Sequence, residues 1–288
     1  MITMSDNDKV LVIGATGNVG GNVVRALQQR GVGVRALVRD AATAEVPDGV
    51  ELAVGDLHDT ASLTKAADGT GAVFLMWPFL SPEGIEAAVA ALGTRRLVYL
   101  SSFGVNDGAD EQSDPINQLH FTVERAIRAS KAEWTMLRAG TFAANALGWA
   151  EEIRASSTVR EAHGGAARAV VHERDLAAVA AKVLVEDGHV GARYVLTGPE
   201  PVTQAEQARI IGEVIGRDVR FEELSPAAAR QRMIDHGWPV EFADGLLGAW
   251  DGFERQPALV SPTVTELIGT APLSFRDWAR DHAREFAA

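Results

Sequence analysis

Three glycines at three-residue spacing, Gly14, Gly17 and Gly20, break an apolar run at its end and stand directly before an amphipathic segment. Glycine permits a tight turn, close approach of a phosphate to the backbone, and close packing of a following helix on the preceding strand. Thr16, Asn18 and Val19 fill the turn, and its open N–H groups at a helix start would attract an anion, most simply a dinucleotide pyrophosphate. Arg39 follows Gly20 by 19 positions. Dinucleotide folds place a ribose-facing residue about 20 positions after the turn, where an acidic side chain would accept from the hydroxyls and an arginine would pair with a 2'-phosphate. Arg39 therefore favours NADP over NAD, with the adjacent Asp40 opposing it and a solvated strand end as the alternative reading. Asp56 in Gly55-Asp56-Leu57 is placed to accept from adenine, or to cap the helix that follows.

The elements that must position these residues are legible in order. Val10 to Ile13, Val32 to Val38, Val50 to Val54, Gly71 to Met76, Arg96 to Leu100 and Trp134 to Leu137 read as strands, apolar enough to be buried on both faces. Helical patterns separate them, including Asp59 to Ala67, Pro82 to Leu92 and a stripe of Leu119, Val123 and Ile127. Alternation of this kind predicts an α/β fold, a doubly wound parallel sheet with right-handed crossovers. The fourth strand runs into Met76, Trp77 and Phe79, and the fifth into Ser101, Ser102 and Phe103, so aromatic walls and hydroxyls are expected at the carboxyl edge where ligands bind in such sheets. Core packing is an equal reading for the aromatics.

Beyond Phe142 the regularity drops. Asn145 to Thr158 carries Trp149, Ala169 to Val171 reads as a short strand, and Asp175 as a cap of the alanine-rich helix Leu176 to Val185. Arg193 to Thr197 reads as a strand, Gln204 to Ile215 as a helix, Val219 to Leu224 as a strand and Pro226 to His236 as a helix. Trp238, Phe242 and Trp250 suggest a second lobe, and Ser274 to Phe286 a closing helix. The expected division is a dinucleotide-binding domain from 1–142 plus about 166–200, and a smaller α+β substrate lobe from about 143–165 plus 201–288.

The chain has 288 residues, a net charge of -12 and no cysteine. Acidity without a basic cluster argues against nucleic acid, and the missing thiols remove disulfides and cysteine-based metal sites. The histidines are scattered without metal-ligand spacing, so no metal is expected. The first eight residues are polar, and no apolar run reaches the ~18 residues of a membrane span. A cytoplasmic protein with a small-molecule substrate, no membrane partner and a monomeric or homodimeric state is expected.

Taken together, Gly14-Ala-Thr-Gly-Asn-Val-Gly20, Val38-Arg-Asp40, Gly55-Asp-Leu57, Leu100-Ser-Ser-Phe-Gly104, Glu133-Trp-Thr-Met-Leu-Arg-Ala-Gly-Thr-Phe142 and Phe275-Arg-Asp-Trp278 resemble the NmrA-like group of atypical short-chain dehydrogenases/reductases over nearly the whole chain. Ala139 stands where that group usually has proline. The resemblance implies a Rossmann core holding NADP(H) or NAD(H), with Gly14, Thr16, Gly17, Asn18, Val19, Gly20, Arg39, Asp56, Leu57, Met76 and Trp77 on the cofactor. It also implies a smaller lobe over the nicotinamide end and Trp77, Phe79, Phe103, Phe142 and Trp149 on an apolar substrate, with Trp238 or Trp250 as further candidates. Members include quinone and azo reductases, reductases of specialised metabolism, and nucleotide sensors without turnover.

Catalytic branches of the wider superfamily carry a Tyr and, four residues later, a Lys on the helix after the fifth strand. Here that helix reads His120-Phe-Thr-Val-Glu124. His120 can serve as proton donor with Glu124 one turn away and Ser101 or Ser102 orienting a carbonyl, or both can be structural polar residues. Tyr99 and Tyr194 fall inside predicted strands, so neither obviously replaces the missing acid. Hydride transfer to a conjugated, quinonoid or aromatic carbonyl needs no strong built-in acid, because the product anion is stabilised. An NADPH-dependent reductase of such substrates is the leading expectation; a dinucleotide-binding sensor and a cyclase or isomerase on the same fold stay open.

Overall fold

A computed structural model describes residues 9–287, so the polar first eight residues lie outside the described residues. In chain order the elements are β1 (Lys9–Ile13), α1 (Asn18–Gln29), β2 (Val34–Val38), β3 (Glu51–Val54), α2 (Thr60–Ala67), β4 (Thr70–Leu75), α3 (Ile85–Leu92), β5 (Arg96–Ser102), α4 (Pro115–Ala129) and β6 (Glu133–Ala139). A 3-10 turn (Ala143–Trp149) follows, then α5 (Ala150–Ser156), β7 (Thr158–Glu161), β8 (Ala167–Arg168), α6 (Glu173–Val185), β9 (Arg193–Leu196), β10 (Val202–Thr203) and α7 (Gln204–Ile215). The chain closes with β11 (Arg220–Glu223), α8 (Pro226–Asp235), α9 (Val240–Arg255), α10 (Thr263–Ile268), α11 (Phe275–Asp281) and α12 (Ala283–Phe286). Among the described residues no helix is long and apolar enough to cross a membrane.

The chain divides into two compact units. The first comprises Met1–Asp110, Asn117–Ala139 and Glu173–Leu196. Its seven strands run parallel in the order β3-β2-β1-β4-β5-β6-β9, the doubly wound arrangement, and the order reverses between β1 and β4. The apolar runs of β1, β4 and β5 are buried on both faces, as an interior parallel sheet requires. Two boundaries matter for chemistry. β5 extends to Ser102 and β6 to Ala139, so Ser101, Ser102 and Arg138 are ladder residues with fixed backbones rather than loop residues. β2 starts at Val34, and the bond from Val10 N–H to the Gly33 carbonyl at 3.0 Å opens its ladder with β1. α6 is the best-buried helix of this unit, and its many alanines let it lie close against α1.

The second unit comprises Glu111–Ile116, Gly140–His172 and Thr197–Ala288. It has two small ladders, β7 with β11 in parallel and β8 with β10 antiparallel. The short strand expected at Ala169 to Val171 is shifted: Ala167 and Arg168 form the ladder, while Val171 makes one isolated bridge to Phe142. Asp175 does not cap α6 from outside; it lies in the first turn and is buried. The expected closing helix is two helices, interrupted at His282. Trp278, fully buried, anchors them: Phe275 stacks at 5.1 Å, His282 at 4.7 Å, and Phe286 meets it edge-on at 6.0 Å.

Loss of that anchor fixes the stability of the second unit. Trp278→Ala should cost about 3–5 kcal/mol, read as a lower urea midpoint; a midpoint unchanged from the parent would show that α11 and α12 are not part of the cooperative core.

Candidate active site

The glycine turn is shaped for close approach of a ligand. Gly14 has φ +85°, a left-handed conformation that side chains rarely adopt, and its carbonyl accepts from Gly17 N–H at 3.0 Å. A Cβ at Gly20 would stand 2.1 Å from the Gly14 carbonyl oxygen, so helix α1 can begin this close to β1 only with glycine there. No side chain caps α1 at Gly17, and its first turn holds no acidic residue. Thr16, Gly17 and Asn18 are exposed while Val19 and Gly20 are buried, so the open N–H groups face away from the core. This cradle fits a pyrophosphate, whose charge the helix start would favour.

At the end of β2, Arg39 is exposed. Asp40, its potential rival, spends its carboxylate locally: one oxygen accepts from Ala42 N–H at 2.9 Å and the other from the Thr43 hydroxyl at 3.2 Å. The guanidinium is thus the group this edge offers to a ribose or its phosphate. The capping role that the sequence offered Asp56 does not fall to it. Its carboxylate accepts from His58 N–H at 2.8 Å in a local turn, and the cap of α2 is Asp59, which accepts from Ala61 and Ser62. Leu57 is buried.

Met76 closes over the turn: its methyl lies 2.7 Å from where a Gly14 Cβ would be, so side chain and glycine are matched. Trp77 is packed in the core of the first unit, and its indole N–H donates to Ser81 carbonyl at 2.8 Å, within its own loop. Phe79 meets this indole edge-on at 5.0 Å and the His58 ring at a tilt at 4.3 Å. Of the aromatic walls expected after β4, Trp77 therefore serves the core, and half-buried Phe79 leans on it.

The edge of β5 is bound to α4 by three polar contacts. Ser102 donates its hydroxyl proton to Asn117 Oδ1 at 2.7 Å and accepts from Gly104 N–H at 3.2 Å. A Cβ at Gly104 would meet Asn117 Nδ2 at 2.4 Å, so the glycine is required for that contact. Ser101 donates to Glu124 Oε1 at 2.6 Å. Tyr99 and His120 meet through the phenol oxygen and Nδ1 at 2.7 Å.

Glu124 is 1% exposed, and its carboxylate belongs to Arg138. Arg138 Nε and Nη2 reach its two oxygens at 3.0 and 2.7 Å, and Nη1 and Nη2 reach Asp107 at 2.8 and 2.9 Å. The guanidinium is forked against two carboxylates at once. Burial works against its charge, but the hydrogen bonds from Glu124 and Asp107 outweigh it and hold the proton above the usual arginine range. The same hydrogen bond from Arg138 holds the Asp107 carboxyl below its ordinary value, with Arg193 and Arg128 adding their charge. Glu124 and Ser101 therefore bind α4 to β5 and β6; the role the sequence allowed Glu124, supporting His120, competes with two arginine hydrogen bonds.

Tyr99 was not selectable from its sequence position. It is fully buried, and burial first, then the Glu124 charge, raise its pKa well above the phenol norm. A phenol that stays protonated must place its proton, and His120 Nδ1 is the acceptor at hand. With Tyr99 as the donor in that bond, a neutral imidazole carries its remaining hydrogen on Nε2.

Phe103 follows β5, half-buried, with its N–H donated to Ala139 carbonyl at 3.0 Å. Phe142 and Trp149 belong to the second unit: Phe142 bridges to Val171, and Trp149 lies in that unit's core. Trp238 is exposed; Trp250 is buried over Arg168.

Similarity to known proteins extends over nearly the whole chain. A model of the NmrA-like family matches residues 6–256. A (4-alkanoyl-5-oxo-2,5-dihydrofuran-3-yl)methyl phosphate reductase of Streptomyces griseus is 40% identical over 96% of this chain and 99% of its own. An NAD(P)H azoreductase of Xenophilus azovorans is 31% identical over 97% and 99%. An NADPH-dependent quinone oxidoreductase of Escherichia coli, solved with NADPH, superposes with a TM-score of 0.78 at 25% identity, covering 94% of this chain and 99% of the other.

The Asp107 carboxyl predicts an acid limb of stability. Its folded pKa is lowered, so its contribution is present above the unfolded value near 3.8 and is lost as pH falls through the folded value. Urea midpoints followed downward from about pH 5 should therefore drop less steeply in Asp107→Asn than in the parent; identical slopes would remove Asp107 from the acid response.

Proposed function

The chain belongs to the NmrA-like family, and on that premise we propose that it is an NADPH-dependent reductase that passes a hydride to a conjugated, quinonoid or enone-type carbonyl compound. It is an oxidoreductase of the kind its relatives represent. The observation that supports the finer reading is the buried Tyr99 phenol hydrogen-bonded to His120 beside the carboxyl edge of β5. The Streptomyces griseus relative acts on a ring whose carbon–carbon double bond is conjugated to two carbonyl groups, an acceptor of this type.

NADP(H) is the coenzyme of this reading. Gly14, Thr16, Gly17, Asn18, Val19 and Gly20 would cradle the pyrophosphate, Arg39 would take the 2'-phosphate, and Asp56, Leu57 and Met76 would flank the nucleoside. When bound there, the reduced coenzyme supplies the hydride. The accepting carbon of the substrate gains that hydride, and the displaced π electrons move to the conjugated oxygen. His120 Nε2–H donates a hydrogen bond to that oxygen, while Tyr99 holds the tautomer. The enolate or phenolate so formed takes its proton from water, so the Tyr and Lys of the wider superfamily are dispensable. Ser102 and Asn117 keep the turn after β5 in place, with Phe103 as its apolar side chain.

Two measurements test this. Mixing protein, NADPH and a quinone panel should bleach the near-ultraviolet absorbance of NADPH; tight NADP binding with no turnover on any acceptor would return the sensor reading. His120→Ala should lower kcat by ~10-fold or more, and Tyr99→Phe by less, with little change in NADPH affinity; unchanged turnover in both removes the pair from the chemistry. For the coenzyme, Arg39→Ala should weaken NADPH by ~10-fold or more and leave NADH nearly unchanged. Equal losses would sink the 2'-phosphate contact.

A further inference from the structure

The second unit buries a cation that the chemistry above does not use. Arg168, on the two-residue strand β8, is 9% exposed. Its Nε has no hydrogen-bond partner among the described residues. What surrounds the guanidinium is aromatic: its central carbon lies 5.6 Å from the Trp250 ring and 5.9 Å from the Phe253 ring, both on α9. The indole N–H of Trp250, itself only 8% exposed, also lacks a partner among the described residues. Two buried donors, one of them charged, are thus left unsatisfied side by side. Each would ordinarily carry a penalty of about 1–3 kcal/mol, and natural interiors rarely tolerate that without a reason.

A structural ion pair does not supply the reason. The one charge that acts on Arg168 is Glu161, at the end of β7, and no hydrogen bond joins them. Glu161 is shared: its carboxyl accepts from the Trp149 indole and feels Arg232 as well as Arg168. Burial pushes the arginine down to about 10, so it remains a cation at neutral pH. The surroundings hold it firmly. The turn between β7 and β8 is clamped by Gln204, which donates to the Ala162 and His163 carbonyls at 2.9 and 3.0 Å, and by Glu223, which accepts from Gly164 N–H at 3.0 Å. His163 pairs with Glu254 of α9 at 3.2 Å, which ties that turn to the helix bearing Trp250 and Phe253. Strand and helix are therefore mutually fixed around the unsatisfied donors.

We propose that Arg168 and Trp250 form an oxyanion-binding subsite in the second unit that takes a phosphate monoester or a carboxylate. A phosphate or carboxylate would accept from the guanidinium and the indole N–H together, and the aromatic walls would exclude water from the pair. The subsite stands on the geometry of the second unit and is independent of the reductase reading.

Full-length protein saturated with NADP+, so that coenzyme phosphate sites are filled, is titrated calorimetrically with inorganic phosphate and with acetate. The parent should take up one anion per chain, the stronger of the two identifying the oxyanion preferred. Arg168→Met should weaken uptake at least ~10-fold, and Trp250→Phe, which keeps the ring and removes the donor, should weaken it less. Arg168→Met should also melt at the same temperature as the parent or higher, because a buried unpaired cation is replaced by an apolar chain of similar size. No anion uptake by the parent, equal uptake by parent and Arg168→Met, or a lower melting temperature in that variant would overturn the subsite; the last would make Arg168 a structural cation. Absence of turnover on every acceptor would fail the reductase reading while leaving the phosphate titration decisive.

Discussion

The first unit turns on one buried ion pair. Arg138 on β6 is forked against Glu124 on α4, and the same guanidinium holds Asp107 after β5, while Ser101 on β5 donates a hydrogen bond to Glu124. A carboxylate 1% exposed and a guanidinium 7% exposed are expensive to desolvate, and apolar residues of similar volume would often serve stability as well. What apolar residues could not do is fix the rotation of α4. Because Glu124 must reach Arg138, the helix presents His120 to Tyr99 and Asn117 to Ser102.

This dependence explains which parts of the molecule were legible in its residues. The glycine turn, the strands of the sheet and helix α7 obey local rules, since apolar runs and glycine spacing state their own burial, and these elements stand where the pattern puts them to within a few residues. The His120/Glu124 pair is correctly read as sharing one helix face. Its chemistry is not readable locally, because the partners are chosen by Arg138, fourteen positions beyond Glu124, and by Tyr99 on a neighbouring strand. A tyrosine inside a strand looks like core; only the fold reveals that its hydroxyl reaches a histidine. The signal that could have found it is the pairing of a polar strand residue with a polar helix stripe in consecutive elements.

The second unit was less legible for a different physical reason. Strands of two to four residues, such as β8 and β10, carry too few side chains to show a period, so Arg168 stood out only when its burial was known. Aromatic residues there are similarly ambiguous. Trp149 and Trp278 fill the core, Trp238 faces solvent, and Trp250 roofs a cation, three outcomes from one residue type that only packing distinguishes.

The connectivity of the two units also sets an order of assembly. Every segment of the first unit has been synthesised by Leu196, and its parallel sheet can close from that point. The ladders of the second unit pair strands that precede β9 with strands that follow it, and its core is completed only by Trp278 and Phe286 near the end of the chain. On the ribosome the dinucleotide half therefore has its full set of contacts while β7 and β8 still wait for their partners. During that interval the apolar faces of β7, β8 and the 3-10 turn are the chain's exposed surface, the stage at which chaperones or aggregation would compete with folding.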